Sequence, residues 1–580
     1  MTTGLVTAIE RIDDIPLLLA QMEKIQLAKL LDEQFPRHGN WDGLGLGHIV
    51  QVWLAYILSE GDHRLNHVEG WSGGLLMTLE HCLGKTIRAL DFSDDRLALV
   101  LDCLGQDDEF DLVESKLNQA VIRVYDLKIT RVRVDSTSVK SYVSVTEDGL
   151  FQFGHSKDHR PDLPQLKINQ SALDPLGIPL TTTIVSGEKA DDPLYIPEIR
   201  KLQQSVQTRG VLYVGDCKMA SLATRAFVAN SGDGYLCPLS SIQMPAAELI
   251  NLLKPVWTNQ QTLTPVYHPL MAENDAPEQI AQGFTYTITL QSDAENNGVM
   301  FSWDEQRLVV HSFKYATKQE RILKARTEKA QEAIAKLNQR GRGTKRLDEK
   351  ALHNAVDAIL KSHNMSELVQ IEYRKETKET YRKAYRGREA CTVIETELSV
   401  HTTLNNDVWE NTVRGLGWRV YVCNDKELSL SEAVLAYRQE YLIEHGFTRY
   451  KGKTLGLTPL HLSSTTRIKG LIRLLSIGLR VLCLLEFTVR NALQNRNEKL
   501  SGIYKGNPKR ATASPTAEMM LKVFRGLSLV VINFNGVKNI DMTPLTPAQE
   551  KILMLLGYPT KYYYRLPGVF QKSIEALSEL

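Results

Sequence analysis

Cysteine is scarce and unpaired: there are seven in 580 residues, at positions 82, 103, 217, 237, 391, 423 and 483. The number is odd and no two stand as CxxC, which argues against a disulfide framework and a zinc site and points to a reducing compartment. Long apolar runs are missing as well. The longest, IGLRVLCLLEF at 477–487, is short and carries Arg480, whereas a membrane span needs ~18 to 20 apolar residues. The opening residues, MTTGLVTAIERIDD, hold no basic segment followed by an apolar core, so no secretory signal is read and a cytoplasmic location is expected. No Ser-His-Asp or Cys-His arrangement is present. The GLGLG run at 43–47 has neither a preceding strand nor the GxGxxG spacing of a nucleotide loop, and reads as a turn before a helix.

A formal net charge of +1 conceals a strong division along the chain. Residues 1–124 hold 20 Asp/Glu against 10 Lys/Arg, a net of −10, and residues 447–580 hold 20 Lys/Arg against 7 Asp/Glu, a net of +13. Residues 314–346 add 11 bases against 3 acids. This asymmetry suggests a polyanion met by the middle and C-terminal parts, with solvated helix faces as the plainer alternative for any one cluster. At 580 residues the chain exceeds one ordinary core, and two or three domains are expected.

IPLLLAQMEKIQLAKLLDEQF and GHIVQVWLAYIL place apolar residues at three- and four-residue steps, so residues 1–124 are assigned to a helical N-terminal domain. From 128 the period changes. KITRVRVDSTSV alternates like a strand with Asp135 near its end, and QLKINQSALDPLGIPLTTTIVSG reads as a hairpin turning at Asp174-Pro175-Leu176-Gly177. A helix over 194–206, the strand VLYVGD ending on Asp216, a helix over 220–229 and the short strand GYLCPLS follow. A carboxylate on the first strand and another at the tip of the fourth look like an α/β, ribonuclease H-like mixed-sheet core, its first part at 125–238. Residues 239–425 contain their own β segments (FTYTITL, RLVVHSF, VQIEYRK, WRVYVCN) and a basic helical run. That is too much for a loop, and it is assigned to a β-rich inserted α+β domain. The core resumes over 426–495, ending in a long buried helix that carries basic residues. Residues 496–580 form a basic C-terminal region, opened by the exposed linker KGNPKRATASPTAE.

Three glutamates in SEAVLAYRQEYLIEHGFTRYKGK (431–453) need separate readings. Ser429-Leu430-Ser431-Glu432 fits the S-x-x-E capping box, so Glu432 is structural. Tyr437, Glu444 and Lys451 recur every seven residues and share one stripe of a helix that runs on through Gly446, with Glu440 one turn before Glu444 on a neighbouring line. Taken singly, Asp135 and Asp216 read as turn or hydrogen-bonding residues and Glu444 as a solvated helix charge. Tyr437-x2-Glu440-x3-Glu444-x6-Lys451, however, resembles the Y-x2-R-x3-E-x6-K signature of bacterial insertion-sequence transposases of the DDE type. VDSTSVK around Asp135 and YVGDCKM around Asp216 are similar to the family's other two acidic segments, and FGHSKDHRPDLPQLK (153–167) resembles a feature of one branch. The resemblance spans residues 10–490 in rough outline. It implies that Asp135, Asp216 and Glu444 are the catalytic, metal-holding acids and that Tyr437 and Lys451 touch the DNA backbone near the cleaved end. One position departs: Glu440 stands where the signature has arginine, and an acid cannot take a phosphate-binding role. Arg438 or Arg449 could substitute, and spacing selects neither. Glu440 is read as a surface or supporting acid.

The resemblance implies phosphodiester chemistry with Mg²⁺, for which Mn²⁺ can substitute. Two such ions ~3.5 to 4 Å apart activate the nucleophile and stabilise the leaving oxygen, and these hard ions take oxygen ligands that must converge from separate elements. Water as nucleophile frees a 3′-OH, and that 3′-OH joins a target. The expected partners are double-stranded DNA, as terminal repeats and as target, and a second copy of the chain in a homodimer that synapses two ends. Lys157, His159 and Arg160, with His155 and Asp158, lie in a charged loop beside the predicted site. They are candidate DNA contacts, as are Arg449, the 314–346 cluster and YRKETKETYRKAYRGR (373–388), in which Arg382 and Arg386 alternate with aromatics. The acidic N-terminal region points to a small recognition helix or to dimerisation. Two other readings share these residues: a nuclease of the same fold that cuts without joining, and a DNA-binding regulator that has lost catalysis. The presence of all three acids counts against the second.

Overall fold

The computed structural model describes residues 6–36, 41–157, 159–269, 277–293, 299–339, 347–382, 391–534, 537–559 and 563. The chain divides into two compact units, Met1–Cys237 with Gln291–Trp303 and Ala436–Leu580, and Pro238–Leu290 with Asp304–Leu435.

In the first unit the alternating, β-branched run RVRVDSTSVK forms the strand Arg131–Lys140. It pairs antiparallel with Gln165–Leu173, which pairs antiparallel with Ile178–Ser186. On its other side it runs parallel to Leu212–Val214, which runs parallel to Gly234–Pro238. The hairpin turns where the sequence placed it, and Gly177 takes φ +66° there, a left-handed conformation that glycine adopts without steric penalty. Helices Tyr195–Val206 and Leu222–Asn230 make the crossovers that parallel strands require.

Neighbouring strand residues face opposite sides of a sheet. Thr181 donates to Glu198 of the Tyr195–Val206 helix at 2.6 Å, while Thr182 bonds Ser476 of the helix Thr465–Asn495 at 2.8 Å. Helices therefore cover both faces, which is why every residue of Gln165–Leu173 is buried. The 31-residue helix Thr465–Asn495 is buried without a break from Gly470 to Glu486. Its bases are internal ties. Arg480, 1% exposed, donates to the carbonyls of Pro179 (2.8 Å) and Leu180 (3.2 Å), and Arg473 donates to the Leu104 carbonyl (2.9 Å) and pairs with Asp107. A guanidinium survives such burial only with partners of this kind.

Helices Ile15–Lys24, Leu46–Glu60 and Asp94–Leu104 pack on that same long helix, so the helical N-terminal region belongs to the first unit. The strand Val6–Arg11 pairs antiparallel with Ser528–Phe534, itself antiparallel to Val537–Met542, which ties the two ends of the chain into one small sheet.

The second unit carries Trp418–Cys423, most of Met300–Ser312 and of Gln279–Asp293, and Thr264–Tyr267, hydrogen-bonded in that order, and a separate hairpin of Val369–Arg382 with Cys391–Leu404. Helices Phe313–Leu337 and Glu349–His363 pack through Leu323, Ala330, Ile334, Leu352, Val356 and Leu360. Glu432 closes its capping box as expected: the Ser429 amide donates to Glu432 Oε2 at 3.0 Å and the Glu432 amide to Ser429 Oγ at 3.2 Å. Among the described residues no helix is long and apolar enough to cross a membrane.

The long helix crosses Asp94–Leu104 so closely that a Cβ at Gly470 would lie 2.0 Å from the Leu101 carbonyl oxygen. Gly470→Ala is therefore expected to destabilise the fold by about 1–3 kcal/mol. Gly70→Ala, where an added Cβ meets nothing within 4 Å, should stay within about 0.5 kcal/mol; urea melts of both against the wild type check the pair.

Candidate active site

Strand register brings the first two acids together. Arg133 is level with Val214 on the parallel neighbour, and two residues further on Asp135, in the middle of its strand and not near its end, stands at the level of Asp216, which lies just past the end of its own. Both line a small cavity of about 10 Å³ together with Arg133, Val134, Val214, Gly215, Tyr437, Glu440 and Ile443. That is room for about one water molecule.

Each aspartate is held by one oxygen. Asp135 Oδ1 accepts the Ser136 amide at 2.7 Å and Lys157 Nζ at 3.2 Å, and Lys157 also donates to Ser136 Oγ at 3.0 Å and to the Ser136 carbonyl. Asp216 Oδ1 accepts the Tyr195 hydroxyl at 2.7 Å and the Lys218 amide at 2.8 Å. All of these bonds fall on Oδ1, which leaves Oδ2 of each carboxylate for another partner. Behind them, Asp191 accepts from Ser136 Oγ (3.1 Å) and Lys167 Nζ (2.8 Å). Asp191, Lys167 and Tyr195 were not singled out from sequence; their only signal was proximity to the predicted core strands, which names no role.

Burial pushes the Asp135 carboxyl from 3.8 up to about 6; Lys157 opposes that rise and Asp216 adds to it. Glu440 is also raised, first by burial and then by Asp135, with the Tyr437 hydroxyl opposing and Glu444 and Asp216 adding. Burial likewise pushes Asp191 up, but the bond from Lys167 and the charge of Lys157 outweigh it and hold that carboxyl below its ordinary range.

The other predicted residues are placed unevenly. Helix Leu430–Arg438 ends before Gln439, and a new helix, Tyr441–Lys451, begins after Glu440. The second helix does run through Gly446, but Tyr437 lies on the first, so Tyr437, Glu444 and Lys451 do not share one helix. Tyr437 lines the cavity. Glu444 is exposed and is not among the cavity-lining residues, whereas Glu440 is. Lys451 Nζ reaches the Ser138 carbonyl of the central strand at 3.4 Å. Lys157 is drawn into the site, His159 is exposed, and Arg160 pairs with Asp162 at 2.7 Å. Arg449 is a correction. It is 5% exposed, and its guanidinium is taken by Glu486 and by Glu518 (2.8 Å), so it braces the core and cannot meet a phosphate. Asp158, Arg386 and the side chain of Arg382 lie outside the described residues.

Among the described residues no three His, Cys, Asp or Glu side chains stand within reach of a single metal ion. The donor set has the oxygen chemistry that a hard divalent cation takes, without three side chains converging on one point. It offers carboxylate oxygens around a cavity for one small body, and a cation, the Lys157 ammonium, already rests in a cradle of Asp135 and Ser136 oxygens.

A family model described as a domain of unknown function (DUF4277) matches residues 7–115. No curated protein matches the chain. Among solved structures, one match is the cryo-EM structure of a piggyBac transposase synaptic complex with hairpin DNA, 9% identical, covering 97% of this chain and 84% of that chain at a TM-score of 0.31. A TM-score of that size does not establish a shared fold.

Because the Asp135 carboxyl titrates near 6 when folded and 3.8 is its ordinary value, the native state keeps a proton that the unfolded chain has already released. Stability therefore falls as pH rises through that interval. In metal-free buffer Asp135→Asn should melt like the wild type near pH ~4 and above it from pH ~7 upward; calorimetry across pH reads this, and a difference independent of pH would refute the assignment.

Proposed function

We propose that the chain is a DDE-type DNA transposase that binds the terminal repeats of its element, cleaves the DNA ends and joins the freed 3′-OH to a target. The observation that carries this reading is the register of Asp135 and Asp216. Two carboxylates stand at one level on adjacent parallel strands in the middle of a mixed sheet, Asp135 within its strand and Asp216 just past the end of the other, in the strand order of a ribonuclease H-like core, with a glutamate-bearing helix beside them.

Asp135 and Asp216 would hold Mg²⁺, or Mn²⁺ in its place, through the oxygens left open. When bound, the metal supplies the charge that activates a water or 3′-OH and stabilises the leaving oxygen. The protein's own groups prepare this. Tyr195 and the Lys218 amide fix the orientation of Asp216, and the Ser136 amide fixes that of Asp135. Lys157 keeps a positive charge at the buried Asp135 carboxylate, and a DNA phosphate entering the site would meet that same charge.

DNA is the partner this reading requires, and a homodimer follows from synapsis of two ends. Part of the C-terminal basic surplus is consumed internally by Arg449, Arg473 and Arg480. The remainder includes Lys499, Lys505 and Lys522, which are exposed around a groove of about 930 Å³ beside Tyr504. This groove suits a phosphate backbone better than the acidic N-terminal region does.

The test uses the full chain with labelled DNA carrying its element ends, in Mg²⁺, Mn²⁺ or EDTA. Cleavage at the boundary and joined products are expected, abolished by EDTA and reduced about 10³-fold or more by Asp135→Asn or Asp216→Asn. Binding of ends with no cutting in either metal would sink the reading, and cutting without joining would reduce it to a nuclease. Replacing Lys499, Lys505 and Lys522 together by alanine should weaken end binding across sequences and flatten its salt dependence by about one unit of slope per lost phosphate contact, as read by filter binding over a salt series.

A further inference from the structure

We propose that the ribbon of Val369–Arg382 and Cys391–Leu404 is a dimerisation arm: Val369–Arg382 pairs antiparallel, edge to edge, with the same strand of a second copy, about a two-fold axis through Thr377. The inference rests on the function proposed above for its purpose, since it names the surface of the homodimer, but the pairing itself needs no DNA.

The ribbon stands alone. Among the described residues its two strands pair only with each other, and two strands by themselves are marginal in water. The base is held. Val369 and Val400 join the core of helices Phe313–Leu337 and Glu349–His363, Tyr373 and Leu398 pack against it, and the Tyr373 ring stacks on His353 at 3.8 Å. Past Tyr373 the cover stops. Every described side chain from Arg374 to Tyr381 is exposed, Tyr381 at 66% and Ile394, level with Glu379, at 62%. Strand side chains repeat every two residues, so Tyr381 and Ile394 share the face of Tyr373, and the apolar face of the core runs on uncovered.

The sequence of the strand selects a second copy as its cover. Charges on an edge strand ordinarily hold copies apart, like against like. Here an antiparallel copy centred on Thr377 sets Lys375 against Glu379 and Tyr373 against Tyr381, each twice across the axis. Glu376 is then level with Lys378, and Glu372 with Arg382. Opposite charges and aromatics directly across are the pairs that stabilise a sheet. Moving the axis by one residue, to Glu376 or to Lys378, sets Arg374 against Lys378 or against Arg382, so the charges fix one register. The other edge lacks this property: Cys391–Leu404 centred on Thr396 sets Glu395 against Glu397. In the paired form the exposed Tyr381 of each copy lies level with the other's Tyr373, which already stacks on His353. The uncovered half of one ribbon thus meets the covered half of the other.

A DNA backbone fits this ribbon less well. Its two strands hold four Lys/Arg against five Asp/Glu, a poor surface for phosphates. Within the chain Lys375 meets Glu349 at 3.7 Å, an exposed pair too weak to keep it from a second carboxylate.

The experiment is sedimentation equilibrium of the DNA-free full chain. The wild type should dimerise. Lys375→Glu and Glu379→Lys each act twice across the axis, and each should weaken the dimer about tenfold or more. The double exchange restores opposite charges and should return the dimer to within about threefold of the wild type. Facing residues of an antiparallel pair lie ~4.5 to 5.5 Å apart, within disulfide reach, so Thr377→Cys should cross-link to itself on mild oxidation, and Thr396→Cys should cross-link no more than the wild type. A monomeric wild type, a double exchange no better than the single variants, or a dimer that Thr377→Cys fails to cross-link would overturn the inference. Single variants that keep the dimer and lose DNA binding would overturn it too, and give the ribbon to DNA. End cleavage separates this inference from the proposed function: a monomer that cuts and joins its ends removes the arm and leaves the transposase, while a paired dimer that binds its ends without cutting keeps the arm and removes the transposase.

Discussion

The parallel pairing of Arg131–Lys140 with Leu212–Val214 is the constraint on which the rest of the first unit depends. It alone brings Asp135 and Asp216 to one level of the sheet from distant parts of the sequence. A parallel pair cannot be joined by a tight turn and needs a covered crossover; Tyr195–Val206 provides it, and its first residue, Tyr195, fixes Asp216. A central strand of this kind must then be covered on its other face, which the long helix Thr465–Asn495 does. Arg480 closes the arrangement by binding the carbonyls of Pro179 and Leu180 at the start of the hairpin's outer strand. The site and its scaffold are thus one construction.

Local rules were readable in the residues, and long-range ones were not. The hairpin at 174–177 and the Glu432 capping box depend on a few adjacent residues, and both stand where chain chemistry puts them. The two aspartates taken singly read as turn residues, and only the register of their strands brings them to one cavity. Arg449 was misread because charge and spacing cannot distinguish an exposed base from a buried one. Its partners, Glu486 and Glu518, are remote in sequence, and only the packing of the helices brings them to it. The single helix read through Tyr437, Glu444 and Lys451 failed for a related reason. It turns on two hydrogen bonds at 439 and 440, and periodicity assumes that no such break exists.

The charge division along the chain also changes meaning once burial is known. A net of +13 over residues 447–580 reads as one polyanion-binding surface, yet Arg449, Arg473 and Arg480 are buried. Acids of the N-terminal region take up part of the surplus: Asp107 pairs with both Arg473 and Lys469, and Asp102 with Arg467. The acidic and basic ends are therefore partly complementary within one unit, and the same pairing explains why an acidic N-terminal region can pack against a basic helix. What is left for an external polyanion is smaller and more local than composition suggests.

A glutamate at 440, where the resembled signature has arginine, suits the charges around it. Asp135, Asp216 and Glu440 place three acids around one cavity, and Arg133 and Lys157 place two bases beside them. A site with an arginine at 440 would set a third base against two aspartates and leave Arg133 facing its own kind. With glutamate there, the buried guanidinium keeps a favourable field, as the effect of Glu440 on Arg133 indicates, and the surplus negative charge remains at the cavity. Burial raises both Asp135 and Glu440, so keeping that surplus charged is costly to the native state.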